Sequence, residues 1–457
     1  MQKKVVALFL AFSMMLVLFV GCGQQAANES TTTETVVSTD SSTVSQPVES
    51  EATVEKPSGK LIVWSYMNEG EPLQAWQQSV SDRYKELYPE VEVEMVYLGR
   101  DILTVLQTKL QDNTAADFPD LVSIGDTALA PLAREGHLYD LTNELATPSY
   151  DSDKTWGDTF IKNVIDIQKI DGKTYFIPEG VYTHGFFYDK VMFKKLGIEV
   201  PKTWDEFINV CETLKKNNVT PLSLDGTVDI YNLWWYTRFA ERLAGPDELA
   251  KAAVGDASFI DNPAFLEAAK YIADLSKKEY FQKGFEGSAF PASQALFTQG
   301  VTGMLFCGGW IPTEMSAQTP PTMEMSMFSL PELPNSKSAR AEELWGNAFG
   351  IMNTSSNKVA AIAWLKLFSS YEMAPSKSAI KNPSPLLGAE PVKELDQMEN
   401  ILASATSVTL AYNGLAAKGD WTNKIYGPLS TKLIAGQITP EEFVSSLDKE
   451  TKAYYKK

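Results

Sequence analysis

The stretch Gly172–Leu214, GKTYFIPEGVYTHGFFYDKVMFKKLGIEVPKTWDEFINVCETL, constrains the chain more than any other. Lys173–Ile177 and Val181–Tyr188 are two β-like runs parted by Pro178, Glu179 and Gly180, and Pro and Gly punctuate strands. Asp189–Leu196 is apolar at helical spacing and stops at Gly197, a residue that ends helices without a Cβ penalty. Thr203 stands three residues before Glu206, the spacing of a capping box. Behind it Trp204, Phe207, Ile208, Cys211 and Leu214 fall on one helical face.

The rest of the chain supplies context. Its 457 residues exceed one typical core, so two or more domains are expected. Leu61–Trp64, Val91–Tyr97 and Asp120–Ile124 read as strands, separated by helical patterns on Leu73, Trp76, Val80, Tyr84 and Leu87 and on Ile102, Val105, Leu106 and Leu110. That alternation predicts parallel pairing in an α/β sheet, with ligands outside the carboxyl ends of the strands. The loops leaving those ends carry Asn68, Glu69 and Asp126. Carboxylates there accept hydroxyl protons well, or else complement the next helix start. A formal charge of −18 disfavours nucleic acid. Two histidines and three cysteines leave little for a metal or haem, and no cofactor is expected. Cys211 and Cys307 read as buried free thiols.

Residues 1–21 form a signal segment: Lys3 and Lys4, then an apolar run from Val5 to Val20 too short to span a bilayer comfortably. Gly21-Cys22 after it looks like a bacterial lipobox, which makes Cys22 the lipidated first residue and a cell-membrane anchor on the outer face. Residues 22–57 lack aromatics and are rich in Ser, Thr, Gln and Glu, a flexible linker. As a coil it reaches about 30–35 Å.

YFIPEGVYTHGFFYDKVMFKKLGIEVPKTWDEF resembles the crossover of family 1 extracellular solute-binding proteins, the maltose-binding-like sugar-capturing subunits of ABC importers. Tyr188-Asp189-Lys190 departs from the family's Tyr-Asn-Lys by one residue. Further along, SQALFTQGVTGMLFCGGWIPTEM resembles the family's helix, strand and Gly-x-Trp closure, with Gly309 where Ser or Pro is usual. WGNAFGIMNTSSNKVAAIAWLKLFSS resembles its return strand and buried helix.

The resemblance implies a two-lobed type II periplasmic-binding fold with three hinge crossings. Lobe 1 is expected at 58–181 and 330–372, lobe 2 at 182–329 and 373–457, with the third crossing near Ser370–Pro375. It implies an extracytoplasmic monomer that is not an enzyme, and that closes on a mono- or oligosaccharide and delivers it to ABC permease subunits. Asn68, Glu69, Asp126, Tyr182, Tyr231, Trp234, Trp235, Trp310, Trp345 and Trp421 become candidate ligand contacts. Not all of Tyr231, Trp234 and Trp235 can face a cleft, because helical spacing turns one or two inward. Trp310, after Gly308-Gly309, is placed to stack on a pyranose. His184 reads as a structural hydrogen bond at the hinge. Two other readings stay open: the same fold binding a polyamine or similar cation, and a secreted carbohydrate-active enzyme with paired carboxylates.

Overall fold

A computed structural model describes residues 55–111 and 118–456, apart from the side chains of Arg100, Asp126, Thr127, Ala416 and Ala417. The signal segment and Cys22 lie outside the described residues. The strands used below are β1 Gly59–Ser65, β2 Val91–Tyr97, β3 Leu121–Gly125, β4 Phe176–Pro178, β5 His184–Asp189, β6 Thr220–Ser223, β7 Thr302–Gly308, β8 Met325–Phe328, β9 Ala341–Leu344, β10 Asn347–Ile351 and β11 Ser407–Leu410.

The first sheet has the order β2-β1-β3-β10-β4. β1 runs parallel to β2 and β3, and β10 lies antiparallel between β3 and β4. In β2, Val91 and Val93 are buried while Glu92 and Glu94 face out, the alternation of a half-covered strand. Helix α1, Pro72–Leu87, buries Trp76, Val80 and Tyr84 against this sheet's core. The second sheet has the order β8-β5-β7-β6, with only β6 and β7 parallel.

The local signals in Gly172–Leu214 take the form the sequence predicts. Helix α2, Lys190–Leu196, is capped by the Asp189 carboxylate, which accepts from the Val191 N–H at 3.0 Å, and it ends at Gly197 with φ 67°. Helix α3, Trp204–Lys216, starts on a complete capping box between Thr203 and Glu206. Cys211 and Cys307 are buried free thiols.

Helix α4, Asp229–Ala244, is buried along nearly its whole length. It carries Arg238 and Arg242 inside, which is tolerable only where carboxylates and carbonyls meet them. Strand β9 supplies those groups. Arg238 donates to Glu342 at 2.7 Å and to the Ala341 carbonyl at 2.6 Å, and also to Glu241 at 2.6 Å. Arg242 donates to Glu342 at 2.7 Å and to the Ala341 carbonyl at 2.8 Å.

This packing moves two expected boundaries. Leu330, Leu333 and Leu344 belong to the core of the second sheet, so 330–344 does not return to the first. Met373, Ala374 and Leu386 belong to the first core, and Val392 and Leu395 to the second. The third passage therefore lies between Leu386 and Val392, not near Ser370–Pro375. Helix α5, Ala374–Ala379, stays with the first sheet because Lys377 is buried there, its ammonium 4.7 Å from the Trp76 ring. The helix Lys162–Ile167 also places Val164 in the second core, tied by the Asn163 amide to the Leu402 carbonyl at 2.9 Å.

Where the first two passages meet, Tyr182 and Trp345 exchange backbone hydrogen bonds of 2.9 and 2.7 Å. A Cβ on Gly346 would stand 2.6 Å from the Gly180 carbonyl oxygen, so the close approach of these segments requires glycine. Among the described residues no helix is long and apolar enough to cross a membrane.

Candidate functional site

A cleft of about 480 Å³ opens where the passages run between the two sheets, within the size range of small-molecule sites. The loop after β1 and the start of α1 contribute Tyr66, Met67 and Glu71; the first two passages contribute Glu179, Tyr182 and Asn347; the segment after α5 contributes Asn382; the second sheet contributes Trp310, Thr313 and Glu314. Trp310 sits at the end of β7 and is partly exposed. A side chain on Gly308 would run into its indole, so that glycine leaves room for the ring; one on Gly309 would run into Met398 and stand 3.0 Å from Tyr182.

Of the residues the sequence singled out, Tyr182 and Trp310 line this cleft. Their rings meet edge to face at 6.1 Å. Trp345 is partly buried, 5.9 Å from Trp310. Trp234 is 1% exposed and forms a second row behind Trp310, at 5.7 Å, with Tyr231 4.7 Å beyond it. Trp235 points the other way and packs on Phe186, Phe281 and Phe306 as core, since neighbours on a helix face different sides.

Trp421 is a correction. It is fully buried, stacks on Tyr426 at 5.1 Å and donates to the Thr451 hydroxyl at 3.1 Å, so its face is already covered. Asn68 and Glu69 are exposed and do not line the cleft; Asn68 instead donates to Glu71 at 2.6 Å. Asp126 is the first residue of the helix Asp126–Arg134, and its side chain lies outside the described residues.

Sequence reading passed over Glu179, Asn347 and Asn382. Glu179 is fully buried in the cleft floor, where it accepts from Gln77 and, at 3.4 Å, from the Ser123 hydroxyl. Burial pushes its carboxyl up against the opposing pull of Lys377, and burial likewise brings the Lys377 ammonium down to about 8. The available signal was its place between Pro178 and Gly180. Asn382 donates to the Tyr182 hydroxyl at 2.5 Å.

Beneath the indoles, His184 Nδ1 and Glu343 Oε2 are 3.0 Å apart with both side chains fully buried. The structural hydrogen bond expected of His184 is this one. Burial holds the imidazole well below its ordinary value, so it is neutral. Burial also lifts Glu343 to about 7 and Glu241 to about 8. The charges explain why: Glu241, Glu342 and Glu343 face only Arg238 and Arg242, and the surplus carboxyl keeps its proton more readily than it stays buried and charged.

A stability consequence follows with a definite sign. Both glutamates are raised above their unfolded value of about 4.3, so the folded state holds protons that the unfolded chain has released. Their contribution is complete below that value and is lost as pH rises through 7 to 8. His184 opposes this only below about pH 6.5. The urea midpoint is therefore expected to fall from pH 6.5 to 8, and Glu343→Gln to flatten the slope. An unchanged slope in that variant would remove Glu343 from the account.

A family model described as bacterial extracellular solute-binding protein matches residues 68–375. The chain belongs to that family. The family is one of binding proteins that work outside the cytoplasm. The multiple sugar-binding protein of Streptococcus mutans is 26% identical over 168 residues, 36% of this chain and 37% of that one. A probable sugar-binding periplasmic protein of Rhizobium meliloti is 23% identical over 366 residues, 76% of this chain and 83% of that one. The first two curated relatives are matched over only 37% and 55% of their own length. A solved chitin oligosaccharide binding protein is 22% identical, with a TM-score of 0.67 over 88% of this solute-binding protein and 100% of that chain. That likeness carries the fold: two lobes of the type II periplasmic-binding kind, one on each sheet.

Proposed function

We propose that this solute-binding protein is the capture subunit of an ABC importer, and that it encloses a mono- or oligosaccharide between its lobes and hands it unaltered to permease subunits. The observation that carries the reading is the composition of the cleft. One partly exposed indole, Trp310, faces carboxylate, amide and phenol groups from the opposite lobe and the passages. An indole covers the apolar face of a pyranose, while Glu71, Glu179, Asn347 and Asn382 suit its hydroxyls. The names of its Streptococcus and Rhizobium relatives agree with a sugar ligand. The mobile halves in this reading are about 58–181 with 347–386, and 182–344 with 392–457, acting as a monomer. Closure is favoured by contacts made only in the closed form.

A thermal-shift screen of mono- and oligosaccharides tests it, because a ligand held by the folded state alone raises the melting temperature. Stabilisation with the sugar recovered intact supports capture. Turnover favours a carbohydrate-active enzyme, and stabilisation by polyamines alone moves the ligand class. The proposal includes a lipid anchor at Cys22, with 22–57 as its leash. Cys22→Ser is expected to leave the membrane fraction; a variant still membrane-bound and lipid-labelled would refute the anchor.

A further inference from the structure

Beneath the first-lobe side of the cleft runs a chain of buried hydrogen bonds that all point one way. The Met67 backbone N–H donates to the Ser65 hydroxyl at 3.1 Å, the Ser65 hydroxyl donates to the Gln77 amide oxygen at 2.7 Å, and the Gln77 amide nitrogen donates to Glu179 Oε1. Ser65, Gln77 and Glu179 are each at most 1% exposed. Met67 lines the cleft from the loop after β1, so the chain joins that loop to the first passage. Each donor is spent on the next member, and the last needs an acceptor. Bonds chained in this way polarise one another, so the charge at the end is felt along the whole length.

That end is held by charge. Lys377, on α5, is likewise buried, with its ammonium 4.7 Å from the Trp76 ring and 5.2 Å from the Phe368 ring. Trp76 precedes Gln77 on α1, and its indole N–H donates to the Ser376 hydroxyl, beside Lys377, at 3.0 Å. Burial drives the Glu179 carboxyl toward its protonated form, and Lys377, Gln77, Ser123 and Asn347 oppose that. The other titratable groups facing Glu179 are the phenols of Tyr97 and Tyr182, both raised by burial and so neutral.

We infer that this chain positions the cleft: ionised Glu179, kept charged by Lys377, fixes the Met67 loop against the saccharide through Gln77 and Ser65, so that capture is linked to a proton. The inference rests on the carbohydrate reading above and adds to it positioning residues, Ser65, Gln77 and Lys377, that lie behind the cleft wall. When Glu179 takes up a proton the chain ends on a neutral carboxyl, which accepts less strongly than a carboxylate, and the loop loses its hold. Affinity is therefore full above the Glu179 titration and falls as pH falls through it. The effect on stability has the opposite sign. A carboxyl raised above its unfolded value of about 4.3 contributes fully below that value and loses the contribution as pH rises. A merely structural role would move affinity and stability together.

The test uses the full chain and the saccharide that stabilises it most in the screen, titrated by calorimetry between about pH 5 and 8 with urea unfolding alongside. The wild type is expected to bind about fivefold or more weakly at the acid end, the loss of a charge-assisted bond. Glu179→Gln mimics the protonated carboxyl. It is expected to bind at the alkaline end like the acidified wild type and to show no slope. Lys377→Met keeps the stem over Trp76 but removes the opposing charge, and is expected to move the loss of affinity to higher pH. Ser65→Ala cuts the chain in its middle while leaving Glu179 free to titrate, and is expected to bind weakly with a flat profile. A wild-type affinity independent of pH, or a slope that survives in Glu179→Gln, would overturn the inference and leave carbohydrate capture intact. A slope that survives in Ser65→Ala would show Glu179 acting without the chain and overturns it too. If Lys377→Met fails to fold, the other two profiles decide. Failure of the wild-type chain to bind any saccharide would overturn both readings.

Discussion

Trp310→Ala is expected to weaken saccharide binding by about 10- to 100-fold, with little change in the urea midpoint. The loss has two sources. A stacked aromatic contributes roughly 0.5–1.5 kcal/mol beyond the area it buries, and the apolar area itself adds to that, at about 1.4 kcal/mol for each factor of ten. Stability changes little because the indole is partly exposed and holds its place through edge contacts with Tyr182, His184 and Trp234 rather than full enclosure. Calorimetric titration gives the affinity and urea unfolding the control. A folded variant that binds like the wild type would take Trp310 out of the site.

The largest stability effect is expected at Arg238. It is 1% exposed and donates to Glu241, Glu342 and the Ala341 carbonyl. Arg238→Met keeps much of the stem but leaves Glu241 buried without its cation and Glu342 with only Arg242. Breaking one side of a buried pair typically costs about 3–5 kcal/mol, mostly the penalty of the stranded charge. Adding Glu241→Gln removes a buried carboxyl that burial already lifts to about 8, so the double variant is expected to recover part of the loss at pH values above that. Full additivity in that cycle would show the two residues to be energetically independent. Strand β9 keeps its tie to α4 through Arg242 but loses the one through Arg238, so hydrogen exchange there is expected to rise.

The local grammar of this chain was readable and its long-range contacts were not. Asp189, Thr203 and Gly197 act through neighbours two to four residues away, so sequence spacing carries the geometry. The parallel pairing of β1 with β2 and β3 followed from strand–helix–strand order for the same reason. Trp421 and Trp310 look alike in sequence, each an aromatic beside a helix start. They differ because Tyr426 and Thr451 cover the first, while Gly308 leaves room for the second at the cleft. His184 and Glu343 are 159 positions apart, and no spacing rule joins them. The third passage was misplaced because nothing local in Ser370–Pro375 shows that Lys377 is buried over Trp76.

Trp310 lines the cleft, Trp345 is partly buried beside it and Trp234 is buried behind it, the three indoles within 6 Å of one another, whereas Trp156, Trp364 and Trp421 are fully buried and take no part in that group. The molecule thus carries its own optical reporter. A guest seated against the outer ring alters the polarity around a trio that shares excitation, while the sealed rings provide a constant internal reference, so capture can be followed in emission without any attached dye.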